Sequence, residues 1–242
     1  MKQAASKLDA HVTLGIMQPY FLPYLGYWQL LAAVDQFVVY DNIEYTKKGW
    51  INRNRFLRHG ADAPFALPLK KGSDFLDIGQ RSLADDFNPA TLLNPFREAY
   101  RKAPFFDAVF PLLESIVTAA PRNLFDYLLN SLAVTAAYLE IATPIIVSST
   151  VPIDHSLRAG DKVLAMCGAL GADRYLNTFG GQTLYAAETF AAAGVELKFI
   201  QARRVTYPQF GQPFVPALSI LDVMMFNSPD AVRRMLGEYD LL

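Results

Sequence analysis

Four short segments hold most of the side chains able to bind or activate a ligand. The first runs from Gln18 to Tyr27 and contains Gln18, Pro19, Tyr20, Tyr24, Gly26 and Tyr27. Its tyrosines offer stacking faces and hydroxyls. Pro19 and Pro23 stiffen the loop, and Gly26 permits close approach of a ligand or of packing partners. The second opens on Asp41-Asn42 and continues through a basic stretch. From Lys47 to Arg58 the charged residues are Lys47, Lys48, Arg53, Arg55 and Arg58, with no acid among them and with Trp50, Asn52 and Asn54 interspersed. Guanidinium forks take phosphate or carboxylate bidentately, lysines add point charge, and an indole can stack on a base or sugar ring. A solvated basic face would carry the same residues. The third is Ser148-Ser149-Thr150 with His155, Arg158 and Asp161 following. These hydroxyls could hold phosphate or could simply cap a helix. The fourth is Asn177 with Gly180, Gly181 and Tyr185. Adjacent glycines at a helix start expose N–H groups to an anion, and also make an ordinary turn.

Each segment follows an apolar run that reads as a strand. Val12–Met17, Phe37–Tyr40, Ala63–Leu69, Pro144–Ser148, Arg174–Asn177 and Glu196–Ile200 are the predicted strands. Helical spacing marks 24–34, 158–170 and 182–193 between them, with Gly171 and Gly194 placed as left-handed caps. Alternation of this kind predicts an open, mostly parallel sheet with helices on both faces, a Rossmann-like α/β fold. Residues 44–60 read as a basic loop, and 1–12 as a loose tail. Three helices, near 91–103, 107–119 and 122–141, are punctuated by Pro104, Pro121 and Pro144. They read as a helical insertion or cap, spanning about 72–143, on one α/β domain of residues 1–242. The end, 217–240, is helical with a break near Ser228-Pro229. Because ligands of open α/β sheets sit beyond the carboxyl ends of strands, the four segments are expected to converge on one cleft.

Composition narrows the possible partners. A net charge of −1 supplies no global field toward nucleic acid or an anionic membrane. Nucleic acid is therefore the weaker partner for the basic block, and an anionic small molecule the stronger. Cys167 is the only cysteine, which excludes an intrachain disulfide; inside AMCGAL it reads as a small buried hydrophobe. No metal-ligand spacing or cofactor motif occurs, so neither metal nor cofactor is expected. With no signal-like leader and no apolar run long enough to span a bilayer, the expected compartment is the cytoplasm. Oligomeric state is not legible.

The motifs IMQPYFLPYLGYWQLL, DNIEYTKKGWINRNR, GADRYLNTFGG followed by LY, YPQF and PALSILDVMMFNS, in this order, resemble the WbqC-like family. That resemblance implies a role in bacterial surface-polysaccharide (O-antigen) biosynthesis. It also implies a possible transferase activity, adding an aminoacyl group such as glycyl to a nucleotide-linked amino sugar. On that reading Lys48, Arg53 and Arg55 anchor the diphosphate of a nucleotide-sugar, and Trp50 or Tyr20 stacks on a ring. Asp41 or His155 takes the amine proton, and the Gly180 and Gly181 amides hold a carboxylate or oxyanion. The acyl donor, an aminoacyl-tRNA included, stays open. The first strand–loop–helix–strand is also similar in layout to HIGH-type nucleotidyltransferases, but Tyr24-Leu25-Gly26-Tyr27 lacks both histidines of that motif. A non-catalytic protein that binds a nucleotide-sugar or phosphate ligand in such a degenerate site is the alternative.

Overall fold

A computed structural model describes residues 11–211 and 213–242; most of the expected N-terminal tail lies outside these. β1 (Thr13–Met17), α1 (Leu25–Ala32) and β2 (Gln36–Val39) form the first unit. A hairpin of β3 (Arg53–Arg58) and β4 (Ala61–Ala66) follows, then α2 (Pro89–Tyr100), α3 (Phe106–Val117) and α4 (Leu124–Tyr138). The alternation resumes with β5 (Ile145–Val147), α5 (Ala159–Leu170), β6 (Arg174–Thr178), α6 (Ala187–Ala192) and β7 (Glu196–Ala202). The chain closes with α7 (Ile220–Phe226), α8 (Pro229–Leu236) and β8 (Tyr239–Leu241). The main sheet has the order β5-β2-β1-β6-β7-β8. All its pairings are parallel except β7 with β8, which is antiparallel. This is the mostly parallel, Rossmann-like α/β arrangement that the alternation implied.

Side chains alternate across the sheet as strand geometry requires. Leu14, Ile16, Val38 and Tyr175 point to one face, where Val163, Met166 and Cys167 of α5 and Phe190 of α6 close a core. Phe37, Val39, Leu176 and Ile200 point to the other, where they meet α1 and α8. Gly15 keeps that second face open: a Cβ there would stand 3.1 Å from the Phe37 ring. α1 is buried on nearly all sides, from Gly26 through Leu31, so it is a core helix rather than an amphipathic cover. The core around it extends without a break through the hairpin and α2–α4. Phe96 packs edge-on against both Phe56 and Phe65, each at 4.9 Å between ring centroids.

The hairpin corrects two sequence expectations. Residues 53–58 are a strand, not part of a basic loop, and the strand expected at 63–69 begins earlier and leaves the main sheet to pair with β3. The reason lies in period and turn chemistry. Asn54 and Phe56 face inward while Arg53 and Arg55 face outward, an alternation masked by the polarity of the inward asparagine. Arg58 pairs with Ala61, leaving His59-Gly60 as a two-residue turn, both at positive φ (52° and 77°). That is a hairpin connection matched to strand twist. β8 is also additional to the expected elements; it adds antiparallel to the sheet edge through a run too short to register by pattern.

Candidate functional site

The path of the chain creates a crevice. From β1 it moves outward to β2 and β5, then returns to the opposite side of β1 to lay down β6, β7 and β8. Loops leaving β1 and β6 therefore diverge, and open α/β sheets bind ligands at such a switch point. A cavity of about 680 Å³ lies there. Ile16, Met17 and Gln18 line it at the end of β1, Tyr40 and Ile43 after β2, and Asn177, Thr178, Gly180, Gly181, Leu184 and Tyr185 after β6. Tyr20, Tyr24, Trp50, Asn54, Arg55 and Ala217 complete the wall. The volume suits a small ligand of nucleotide size.

Aromatic faces dominate this wall. Tyr20 is half-buried; burial, with Tyr24 adding to it, pushes its hydroxyl up to about 12. Burial also raises Tyr24 and Tyr40 above the ordinary tyrosine value. These hydroxyls therefore stay protonated at neutral pH and can donate hydrogen bonds. Trp50 is 43% exposed, and the Arg55 guanidinium lies 5.1 Å from its ring centroid. Arg55 also pairs with Asp62 at 3.1 Å. Both side chains are about half exposed, so this pair is weak and leaves Arg55 available to an anion. Asn177 is buried; its Oδ1 accepts from the Thr178 amide at 2.7 Å and its Nδ2 donates to the Tyr175 hydroxyl at 3.0 Å. Gly181 is required beside it, because a Cβ there would stand 2.9 Å from Asn177 Nδ2.

A strained backbone turn ties the aromatic loop to the hairpin. Leu22 is fully buried at φ 47°, a left-handed conformation that costs a branched residue on the order of 1 kcal/mol. Its carbonyl accepts from Asn54 Nδ2 at 2.7 Å and from Ser219 Oγ at 2.8 Å. The Ser219 amide donates to the Arg55 carbonyl at 2.9 Å. Three separate motifs thus meet at one backbone point. Ser219 also caps α7, whose Asp222 is fully buried. Asp222 accepts from the Tyr100 hydroxyl at 2.8 Å, the Tyr207 hydroxyl at 2.7 Å and Gln209 Nε2 at 2.8 Å. Burial raises this carboxyl above its usual range despite those bonds. Tyr207 and Gln209 of the YPQF motif, and Ser219 and Asp222 of PALSILD, are joined in this buried knot.

Other singled-out residues fall outside the cavity. Tyr27 is fully buried and its hydroxyl donates to the Gln18 carbonyl at 3.1 Å, so it shapes the loop instead of facing a ligand. Pro19 is buried, and Gly26 makes room for the Tyr24 ring, whose edge would lie 2.6 Å from a Cβ. The basic block is split. Arg55, Trp50 and Asn54 line the cavity, whereas Lys47, Asn52 and Arg53 line a separate one. Lys48 is exposed and lines neither. The division falls along the chain at the start of β3, with Arg53 on one side and Asn54 and Arg55 on the other, while Trp50 of the preceding loop joins the latter.

Asp41, Ser148, Ser149 and His155 form a second polar cluster beside the cavity but not on its lining. Asp41 Oδ1 accepts from the Ser149 amide at 2.9 Å and lies 2.7 Å from Ser148 Oγ. Burial alone would raise this carboxyl; the hydrogen bonds from Ser149 and Ser148 outweigh it and hold the pKa below the ordinary carboxylate value. Asn42 Nδ2 lies 2.9 Å from His155 Nδ1. Lys162, overlooked in the sequence, is 5% exposed, with Nζ 3.3 Å from the Asn42 carbonyl and 5.5 Å from the Tyr40 ring centroid. Burial lowers its pKa below the ordinary lysine value. Its signal was a lysine on the inward face of α5 beside Val163 and Met166. Of the overlooked cavity residues, Ile16, Met17, Ile43, Leu184 and Ala217 are apolar and carry no chemical signal, and Tyr40 and Thr178 are marked only by a hydroxyl at the end of a strand.

Cys167 is fully buried, with its thiol pushed up to about 12 by burial. Among the described residues no group of three His, Cys, Asp or Glu side chains is placed to hold a metal ion. No helix among them is long and apolar enough to cross a membrane.

The chain is an open α/β protein with an aromatic-walled cavity at its switch point. The chain belongs to the WbqC-like protein family, whose model matches residues 18–234. It is also similar to the Mycobacterium tuberculosis protein described as "Uncharacterized protein Rv1507c", at 26% identity over 230 residues, covering 91% of this chain and 97% of that one.

Proposed function

We propose that the cavity binds a ring-bearing anion of the nucleotide-sugar class, in the service of bacterial surface-polysaccharide (O-antigen) biosynthesis. One observation carries the reading: aromatic faces, the Arg55 guanidinium and the Gly180-Gly181 turn surround a single cavity at the carboxyl edge of a parallel sheet. Trp50 and Tyr20 supply stacking faces for a base or sugar ring, Arg55 supplies the charge for a phosphate, and Asn177 and Gln18 supply polar groups for hydroxyls. Family membership is the source of the polysaccharide context. The cavity lining includes no carboxylate, histidine, lysine or cysteine among the described residues. Binding, not proton transfer, is what such a wall does by itself.

A catalytic reading, aminoacyl transfer to a nucleotide-linked amino sugar, draws on the polar cluster next to the wall. Asp41 and Asn42 stand between Tyr40 and Ile43, which do line the cavity. Asp41 or His155 would then take the amine proton once substrate extends toward them.

A calorimetric panel of nucleotide-linked sugars and amino sugars tests the binding. At a free concentration of one hundred times its dissociation constant, a true ligand adds about 2.7 kcal/mol of stability. Absence of saturable binding across the panel would remove the reading. Turnover of a bound amino sugar with an acyl donor, lost in both Asp41→Asn and His155→Gln while binding persists, would establish the catalytic version.

A further inference from the structure

The separate cavity lined by Lys47, Asn52 and Arg53 has a chemistry of its own. It encloses about 400 Å³ between the loop preceding β3, the segment after β4 and the turn ending at Arg81. Five cations line it: Lys47, Arg53, Lys70, Lys71 and Arg81; no acid does so among the described residues. Two of these charges are partly answered from outside. Lys47 pairs with Asp74, and Lys70 pairs with Asp85 at 2.7 Å. Both pairs are largely solvent-exposed, so they give up little when a ligand competes for the lysine.

Arg81 is the informative residue. It is only 5% exposed, yet no carboxylate lies within salt-bridge distance of it among the described residues. Its guanidinium carbon sits 4.5 Å from the Tyr45 ring centroid, and Nη2 donates to the Ser73 carbonyl at 2.8 Å. Its Nε is buried without any hydrogen-bond partner. A desolvated cation with an unused donor is costly unless an anion accompanies it. Tyr45 and Asn52 are already committed: the Tyr45 hydroxyl donates to Asn52 Oδ1 at 2.7 Å, and Asn52 Nδ2 donates to the Leu67 carbonyl at 2.7 Å. They give the pocket a fixed wall, and the cations supply its recognition.

We propose that this second cavity is an oxyanion site, distinct from the aromatic one, that takes the phosphate or pyrophosphate group of a small phosphate ester. Excess cationic charge around a fixed guanidinium suits a multiply charged phosphate, and the absence of an exposed aromatic face on this wall leaves nothing to read a base. The site stands whether or not the aromatic cavity binds a nucleotide-sugar.

The test is isothermal titration of the purified protein with inorganic pyrophosphate, and separately with inorganic phosphate. The expected result is saturable binding, weakened tenfold or more by Lys71→Gln and by Arg53→Gln. Arg55→Ala, which alters only the aromatic cavity, leaves it unchanged. Lys71 is exposed and without an ion pair among the described residues, so its substitution leaves the fold intact and keeps the test valid even where Arg81→Gln fails to fold. No saturable binding of either anion overturns the proposal. So does binding that survives Lys71→Gln and Arg53→Gln but disappears in Arg55→Ala, which would place the anion in the aromatic cavity. If pyrophosphate competes with a nucleotide-sugar in the wild type, and the competition vanishes in Lys71→Gln, the two cavities hold parts of one ligand. If the two bind independently, the phosphate arrives on a molecule of its own.

Discussion

The buried knot around Asp222 and the cavity wall around Arg55 are joined through Ser219, which caps the helix of Asp222 and donates its amide to the Arg55 carbonyl, yet they treat charge in opposite ways. Asp222 is sealed from solvent and has three side-chain donors already in place, one from α2 and two from the YPQF loop. Arg55 is half exposed, held only by an exposed partner and an indole face. A fully satisfied buried group has no capacity left for a ligand; its value is in holding α2, α7 and the YPQF loop at fixed distances. A loosely held cation on a cavity wall has nearly all of its capacity left. Polar motif residues in this protein thus divide into those that build the cleft and those that face into it.

Removing the carboxylate gives the largest effect. Asp222→Ala leaves the Tyr100 and Tyr207 hydroxyls without their acceptor, and Gln209 Nε2 with only the Val215 carbonyl. At about 1–3 kcal/mol for each unsatisfied buried group, with some relaxation, the variant loses about 3 kcal/mol or more of unfolding free energy. Urea unfolding measures this, and a loss below about 1 kcal/mol would mean the knot is not a structural tie.

Arg55→Ala reverses the pattern. The Arg55–Asp62 pair is exposed, so the melting midpoint stays close to that of the wild type. Affinity for a nucleotide-sugar falls by roughly ten- to a hundredfold, since one charge-assisted hydrogen bond is worth about 1.5–3 kcal/mol. Calorimetry together with a thermal melt separates the two quantities; a destabilised Arg55→Ala protein would make Arg55 part of the frame.

A smaller contrast is expected between two aspartates. Burial holds the folded-state pKa of Asp222 above its unfolded value. Its protonated form is therefore favoured by folding, and that contribution is present below the ordinary carboxyl value and lost as pH rises through the raised one. The folded-state pKa of Asp41 is depressed, because the Ser149 and Ser148 hydrogen bonds outweigh burial. Its contribution is present above the ordinary carboxyl value and lost as pH falls through the depressed one. Urea midpoints from about pH 3 to about pH 7 should then diverge in sign. The wild type's advantage over Asp222→Asn shrinks with rising pH, and its advantage over Asp41→Asn shrinks with falling pH. Parallel profiles for the two variants would refute the distinction.

Much of the sheet was legible because its strands are short apolar runs set between helices with clear caps and prolines. β1, β2, β5, β6 and β7 follow directly from that punctuation, as do α2–α4. The hairpin was hidden because β3 keeps its inward face with Asn54, a residue that reads as polar surface until its partner, the Leu22 carbonyl, is known. Of the residues singled out by their place after strands, Gln18, Tyr20, Tyr24, Trp50, Asn54, Arg55, Asn177, Gly180, Gly181 and Tyr185 line one cavity. That placement could not separate Arg55 from Arg53, because that difference depends on how the β3 hairpin sits against its neighbours. Nor could it show that Tyr27 faces the core, since α1 is buried on nearly all sides, Gln29 included, and so has no polar face to orient it. Arg81 and Lys162 went unnoticed because single cations in otherwise ordinary segments reveal their burial only in three dimensions.

A ligand entering the aromatic cavity at the switch point meets Trp50. The chain has two tryptophans; Trp28 is fully buried in α1, its Nε1 donating to the Pro23 carbonyl, and Trp50 stands on the cavity wall. Titrating the protein with a nucleotide-linked amino sugar while following tryptophan emission isolates that wall. The expected result is a saturable change in the wild type that is absent in Trp50→Phe and shifted to higher ligand concentration in Arg55→Ala. An emission change that persists undiminished in Trp50→Phe would place the ligand elsewhere and contradict it.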